Sequence, residues 1–199
     1  MANIHPIKLK GDWFQGYALD IHTLKSTFIG HDEYGREVFE TKRSEIGEML
    51  YQLKYKSEKS SLEQIIATTV QFMNEKWPIN KTIQGIIPVP PSKTRAFQPV
   101  IQVAKGISVA IQVPLITNFL VKIKQTPELK NVYNYQDRLA TLSDAFTVKN
   151  SSLAGKNVLL FDDLFRSGAT FSAITKTLYE KGQVNLVFVL ALTKTRSKS

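Results

Sequence analysis

The sequence predicts an α/β fold, with a mainly parallel central sheet flanked by helices and a small β-rich hood or appendage at the N-terminus. Three observations predict it. From Thr82 onward, apolar strand-like runs alternate with stretches of helical spacing, the order that generates βαβ units. Those runs, Thr82–Val89, Lys156–Phe161 and Val184–Leu192, are nearly continuous in apolar residues, as strands covered on both faces are. The first 42 residues differ, since their aromatic side chains are interleaved with glycines at 11, 16, 30 and 35.

In that first segment, short strands are expected around Trp13–Leu19, Ser26–Ile29 and Glu37–Glu40, with a turn at His31–Gly35. Ile46, Met49, Leu50 and Leu53 recur at helical spacing, and Thr41 or Ser44 can cap that helix. A second helix is expected from Ser60 or Ser61, because Ser60-x-x-Glu63 and Ser61-x-x-Gln64 both fit the capping box; Pro78 helps to stop it. A strand over Thr82–Val89 ends in Pro88-Val-Pro-Pro91, and a helix over Gln98–Gln112 follows. Pro114–Leu120 reads as a strand. Residues 121 to 145 are polar and basic, with a short helical stretch near Gln136–Leu142. Ala145–Val148 reads as extended and Lys156–Phe161 as a strand. Ala169–Lys181 reads as a helix closed by Gly182, and Val184–Leu192 as the last strand. The segments are an N-terminal appendage over 1–42, an α/β core over 43–192 and a basic tail over 193–199.

The composition narrows the function. The 199 residues suit one domain with a small addition. There is no cysteine, which excludes disulfides and cysteine-built zinc sites, and the three histidines, His5, His22 and His31, are too dispersed to suggest a metal centre. The longest apolar run near the end, Leu186–Leu192, is too short to span a bilayer, so a soluble, cytoplasmic protein without membrane association is expected. The net charge of +9 favours anionic partners, whether nucleotides, phosphorylated sugars or nucleic acid.

The chemistry concentrates in Asp162–Thr170. A strand, a short loop and a helix start offer backbone N–H groups to an anion. Phe165, Arg166, Ser167, Gly168, Ala169 and Thr170 form that loop, with Gly168 allowing close approach and Ser167 and Thr170 adding hydroxyls. Asp162 and Asp163 are poor neighbours for a phosphate. Two carboxylates can accept both hydroxyls of a vicinal diol, so diol and phosphate together describe a ribose 5-phosphate. A strand-end acid pair that binds a metal or caps a helix is the plainer alternative. For Lys93 and Arg95 the alternative is a solvated turn, and for Lys122, Lys124 and Arg138 it is plain surface charge.

Val158-Leu-Leu-Phe-Asp-Asp-Leu-Phe-Arg-Ser-Gly-Ala-Thr170 resembles the motif by which type I phosphoribosyltransferases bind 5-phosphoribosyl 1-pyrophosphate (PRPP). The order of Leu53-Lys-Tyr55, Ile87-Pro-Val-Pro90, Arg95-Ala-Phe97, Lys122–Thr126, Asp137-Arg138 and Ala145-Phe146 resembles the ComF-like branch, over about residues 43 to 192. The resemblance implies that Asp162 and Asp163 hold the ribose hydroxyls and that residues 165 to 170 hold the 5-phosphate. It further implies that Pro91, Ser92, Lys93, Thr94 and Arg95, with Lys122, Lys124 and Arg138 of a mobile loop over about 121–145, hold pyrophosphate. Asp162, Asp163, Lys93 and Arg95 would be the catalytic set. Magnesium would arrive on PRPP, held by its oxygens and water. Phosphoribosyl transfer to a nucleobase or amine follows, with a PRPP- or nucleotide-sensing regulator and a DNA-uptake-related nucleic-acid-binding accessory protein as the alternatives. A homodimer is also implied. The chain departs from that branch in lacking the cysteine-rich zinc-binding N-terminal segment and in carrying Arg166 where a hydroxyl residue is common.

Overall fold

The computed structural model describes residues 1–56, 58–91, 97–124, 126, 132 and 134–196. Its centre is a sheet of five strands whose spatial order is Ile7–Lys8 (β1), Gln15–Ile21 (β2), Leu186–Lys194 (β9), Asn157–Phe165 (β8) and Gly85–Pro88 (β5). β1 runs antiparallel to β2, and the other pairings are parallel. Leu115 adds a single parallel bridge to Ile86 at the free edge of β5. Two small antiparallel sheets stand apart from this one. A hairpin joins Thr23–His31 (β3) to Glu37–Arg43 (β4), and Leu120–Lys122 (β6) pairs with Phe146–Val148 (β7). The fold is thus α/β with a mostly parallel central sheet flanked by helices, as the alternation of apolar strands and helical stretches predicts.

The helices cover the sheet on both sides. Glu45–Tyr55 (α1), Lys59–Glu75 (α2) and Pro99–Ile111 (α3) bury Leu50, Met73 and Ile107 against Leu159 and Phe161 of β8 and Phe188 and Leu190 of β9. Tyr135–Leu142 (α4), Ala169–Glu180 (α5) and the β6–β7 pair bury Leu142, Ile174, Leu178 and Phe146 against Val158, Leu160, Val187 and Val189 on the other face. Alternate residues of β8 therefore enter different cores, which follows from the two-residue period of a strand. Both cores are closely filled, and truncating a fully buried ring such as Phe161 to alanine costs about 3–5 kcal/mol.

Several expectations are corrected. The first 42 residues do not form one appendage, because β1 and β2 belong to the central sheet and only the β3–β4 hairpin stands outside it. The parallel ladder from β2 to β9, with Tyr17 opposite Leu190 and Ala18 opposite Ala191, joins segments too distant in sequence for a local pattern to reveal. The strand expected over Pro114–Leu120 reduces to the Leu115 bridge, with β6 starting only at Leu120. α2 begins at Lys59 with Glu58 as its N-cap, so neither Ser60 nor Ser61 caps it. α1 does begin as expected: Ser44 is its N-cap, and the hydroxyl accepts from the Gly47 N–H.

One displacement matters most for function. β8 continues through both acids to Phe165 and stays paired with β9, Asp162 opposite Ala191 and Leu164 opposite Thr193. Asp162 and Asp163 are strand residues, not loop residues beyond a strand. Because β2, β9, β8 and β5 are parallel, their carboxyl ends share one edge of the sheet. His22, Thr195, the loop 166–168 and the Pro90–Pro91 segment emerge there, at the edge where open α/β sheets bind ligands. Among the described residues, no helix is long and apolar enough to cross a membrane.

Candidate functional site

The site begins with the last turns of the β8 pleat. Leu160 packs with α5 and Phe161 with the α1–α3 side, so the alternation sends Asp162 toward α5 and Asp163 toward α1. Asp162 lines a small open cleft together with Arg138, Leu164, Arg166, Gly168 and Thr170. Asp163 places Oδ2 2.6 Å from Lys54 Nζ on α1. The Asp163 N–H donates to Asp162 Oδ1 at 2.8 Å.

Electrostatics separates the acids further. Burial, with the charge of Asp163 second, pushes the Asp162 carboxyl up to about 8; the Asp163 N–H and the more distant Lys54 oppose the rise. A carboxyl of this kind can carry a proton near neutral pH and so can donate a hydrogen bond as well as accept one.

The loop beyond β8 is shaped by Gly168. It is the N-cap of α5 at φ +83°, a left-handed conformation in which a side chain is strained. A Cβ there would also lie 2.9 Å from the Phe165 ring. The Gly168 carbonyl accepts from the Ser172 N–H at 2.8 Å and starts the helix. The first N–H groups of α5 have no intrahelical partners and open toward the cleft beside the hydroxyls of Ser167 and Thr170. Under the loop sit three rings. Trp13 meets Phe165 and Phe171 edge-on at 6.1 and 5.9 Å, and Phe165 and Phe171 are 5.9 Å apart.

The cations predicted for this site divide. Arg138 of α4 is buried, lines the cleft and donates from Nε to the Val132 carbonyl at 2.6 Å. Burial first, and the nearby Arg166 second, push its pKa down. Arg166 is exposed at the cleft, and its carbonyl accepts from Thr195 Oγ1. Two guanidinium groups in mutual repulsion at one cleft favour an anion between them. Lys122 and Lys124 do not line this cleft. Lys122 donates to Thr126 Oγ1 at 2.6 Å, and its pKa is lowered by burial; Lys124 donates to the Ser143 carbonyl at 3.0 Å. Pro91 is exposed past the end of β5, and the Val89 N–H donates to the Phe161 carbonyl, so that segment starts beside the acids. Ser92, Lys93, Thr94 and Arg95 lie outside the described residues. Tyr135 links α4 to α5 through a 3.4 Å contact between its hydroxyl and that of Ser172.

Two participants escape a reading of the motif alone. Trp13 comes from the opposite end of the chain, and its only sequence signal is an aromatic pair flanked by glycines, Gly11-Asp-Trp-Phe-Gln-Gly16. Lys54 lies within the Leu53-Lys-Tyr55 stretch, but only the fold sets it against Asp163.

No family model matches the chain, and no curated protein matches it. Solved structures of similar shape include an adenine phosphoribosyltransferase, 17% identical over 85% of this chain and 86% of that one, with a TM-score of 0.48. Another is the adenine phosphoribosyltransferase of Saccharomyces cerevisiae complexed with an imino-altritol bisphosphate and adenine, 16% identical over 85% of each chain, with a TM-score of 0.47. A third is the glutamine PRPP amidotransferase of B. subtilis complexed with ADP and GMP. It is 16% identical over 81% of this chain and 34% of that one, with a TM-score of 0.48.

Proposed function

We propose that this chain binds PRPP with its magnesium and transfers the phosphoribosyl group to a nitrogen nucleophile, a nucleobase or amine, releasing pyrophosphate. The observation that carries this reading is the meeting of Asp162 with the 165–170 loop and the first turn of α5 in one cleft. That arrangement sets a hydroxyl-binding carboxyl beside an anion cradle, as a ribose 5-phosphate requires. The order of Leu53-Lys-Tyr55, Ile87–Pro90 and the 158–170 motif supports the ComF-like branch of this group.

In this reading the 5-phosphate takes the amides and hydroxyls of residues 166–170, and the ribose hydroxyls take Asp162 and Asp163. Arg138 already lines the cleft and serves the phosphate charge. Pro91, Ser92, Lys93, Thr94 and Arg95 would receive pyrophosphate. Lys122 and Lys124 would join only by exchanging their present partners, Thr126 and Ser143. Among the described residues no group of three or more His, Asp or Glu side chains is placed to hold a cation. Magnesium would ride on the diphosphate oxygens and water, and its chemistry would be to neutralise the leaving group.

The bond from ribose C1 to the pyrophosphate oxygen breaks with its electron pair leaving on pyrophosphate. The acceptor nitrogen forms the new bond to C1 and gives up its proton to water or to the departing pyrophosphate. Positive charge grows on the ring between those events; the Asp163 carboxylate would stabilise it, and Asp162 would do so once ionised. Pyrophosphate release from PRPP and magnesium across a panel of bases and amines tests the reaction. Release that needs both an acceptor and Asp162 supports it, whereas absence of release across the panel contradicts transfer.

A further inference from the structure

The ion pair of Lys54 and Asp163 is buried more deeply than a surface bridge. Its 2.6 Å contact has only 21% and 15% of the two side chains exposed. It lies at the same sheet edge as the cleft, but on the opposite face of β8. We propose that Lys54 is a positioning residue of the ribose site, holding the Asp163 carboxylate so that both acids serve one ligand from the two sides of the strand. This role rests on the PRPP reading given above.

The surroundings of Asp163 are built to fix it. Its carbonyl accepts from Thr193 Oγ1 at 3.1 Å, and Thr193 is fully buried. His22 Nδ1 lies 3.2 Å from the same hydroxyl. With that hydroxyl donating to Asp163, the contact fits the His22 tautomer that carries its proton on Nδ1. The main chain of Asp163 is thus tied to β9 and, through Thr193, to His22 just after β2, and among the described residues Lys54 is the cation that sets its carboxylate. The other charged groups on this side have partners of their own. Arg43 of β4 pairs with Glu48 of α1 at 3.0 Å and stacks on Tyr51 at 3.9 Å. His22 has its pKa lowered, by burial first and by Lys54 and Arg43 next, which favours the uncharged ring.

α1 is in turn built to deliver Lys54. Ile46, Leu50 and Leu53 bury its inner face, and Ser44 both caps the helix and donates from Oγ to the Ile21 carbonyl at the end of β2. Lys54 falls in the last turn, where the helix dipole favours a cation. A bridge needed only for stability could sit anywhere along α1. This one falls on Asp163, one of the two acids of the proposed ribose site.

Calorimetric titration with PRPP and magnesium tests the proposal on wild type, Lys54→Met, Lys54→Arg, Asp163→Asn and the Lys54→Met/Asp163→Asn double variant, each well below its melting temperature. Lys54→Met and Asp163→Asn should each weaken binding about ten-fold, the scale of one charged hydrogen bond. The double variant should be no weaker than either single change by more than about two-fold, and Lys54→Arg should recover most of the loss. A stability bridge alone would lower the melting temperature of Lys54→Met and leave affinity unchanged, which overturns the role. Fully multiplicative effects in the double variant overturn it as well. If Lys54→Met does not fold, Lys54→Gln supplies the same comparison. Failure of wild type to bind PRPP removes the proposed function and this role together, whereas binding by wild type and Lys54→Met alike removes only the role of Lys54.

Discussion

Trp13 meets Phe165 edge-on with ring centroids 6.1 Å apart, and this contact ties the N-terminal segment to the loop that follows the acids. Trp13 also donates from Nε1 to the Leu9 carbonyl and reaches Phe171 on α5. It therefore supports the floor of the cleft without lining it. Trp13→Leu should lower stability by roughly 1–3 kcal/mol and loosen the loop, while Trp13→Ala should cost about 3–5 kcal/mol. Chemical denaturation measures the first effect. A several-fold loss of PRPP affinity in Trp13→Leu at a temperature where it stays folded measures the second.

Gly168 should tolerate no side chain. Its φ of +83° and the Phe165 ring, 2.9 Å from where an added Cβ would stand, act in the same direction. Gly168→Ala should therefore destabilise by about 1–2 kcal/mol. It should also weaken PRPP binding by more than Gly155→Ala does, although Gly155 likewise has a positive φ, +71°, with nothing near its added methyl. Equal affinity in the two variants would show that the left-handed turn is not part of the anion cradle.

The raised carboxyl of Asp162 predicts a pH dependence with a definite sign. The folded protein holds this proton more tightly than the unfolded chain, whose carboxyl has the ordinary value of 3.8. Ionising it in the fold costs stability, so the cost is absent below that value, grows as pH rises, and is complete once pH passes about 8. Asp162→Asn removes the cost. Its melting temperature should exceed that of wild type by roughly 10 °C at pH 9 and come close to it near pH 4. A constant difference across this range would assign the effect to packing.

Arg138 offers a test of the cleft's charge. It is buried, tethered to the Val132 carbonyl and repelled by Arg166. Arg138→Met should relieve that repulsion and leave stability within about 1 kcal/mol, while weakening PRPP affinity about ten-fold or more. Lys122→Met, whose ammonium is engaged with Thr126 outside the cleft, should have a smaller effect on binding. The reverse ranking in a titration would move the anion-binding charge to β6.

Local signals made much of this legible in the sequence. α3 spans Pro99–Ile111 between Gln98 and Gln112, as its apolar spacing predicts, and α5 starts at Ala169 behind a glycine whose conformation only glycine adopts with ease. The acid pair and its loop are one continuous run, so their chemistry could be read without a fold. The direction of the two carboxylates could not. It depends on β8 staying paired with β9 through Phe165, and polar residues at the end of an apolar run look like loop until the partner strand is known. Lys54 and Trp13 were hidden for the same reason, since each reaches the acids or their loop only through long-range packing. The N-terminal segment misled most, because the β2–β9 ladder joins opposite ends of the chain.

Calorimetric titration of the wild-type protein and Asp162→Asn with PRPP, with and without magnesium, tests the central claim most directly. At pH 9, where the Asp162 carboxyl is ionised, the cleft of Asp162 and the α5 N-terminus should give one saturable site per chain for wild type, strengthened by magnesium and weakened at least about ten-fold in Asp162→Asn. No heat of binding in wild type, or the same affinity in both proteins, would contradict the assignment of this cleft to a phosphorylated ribose.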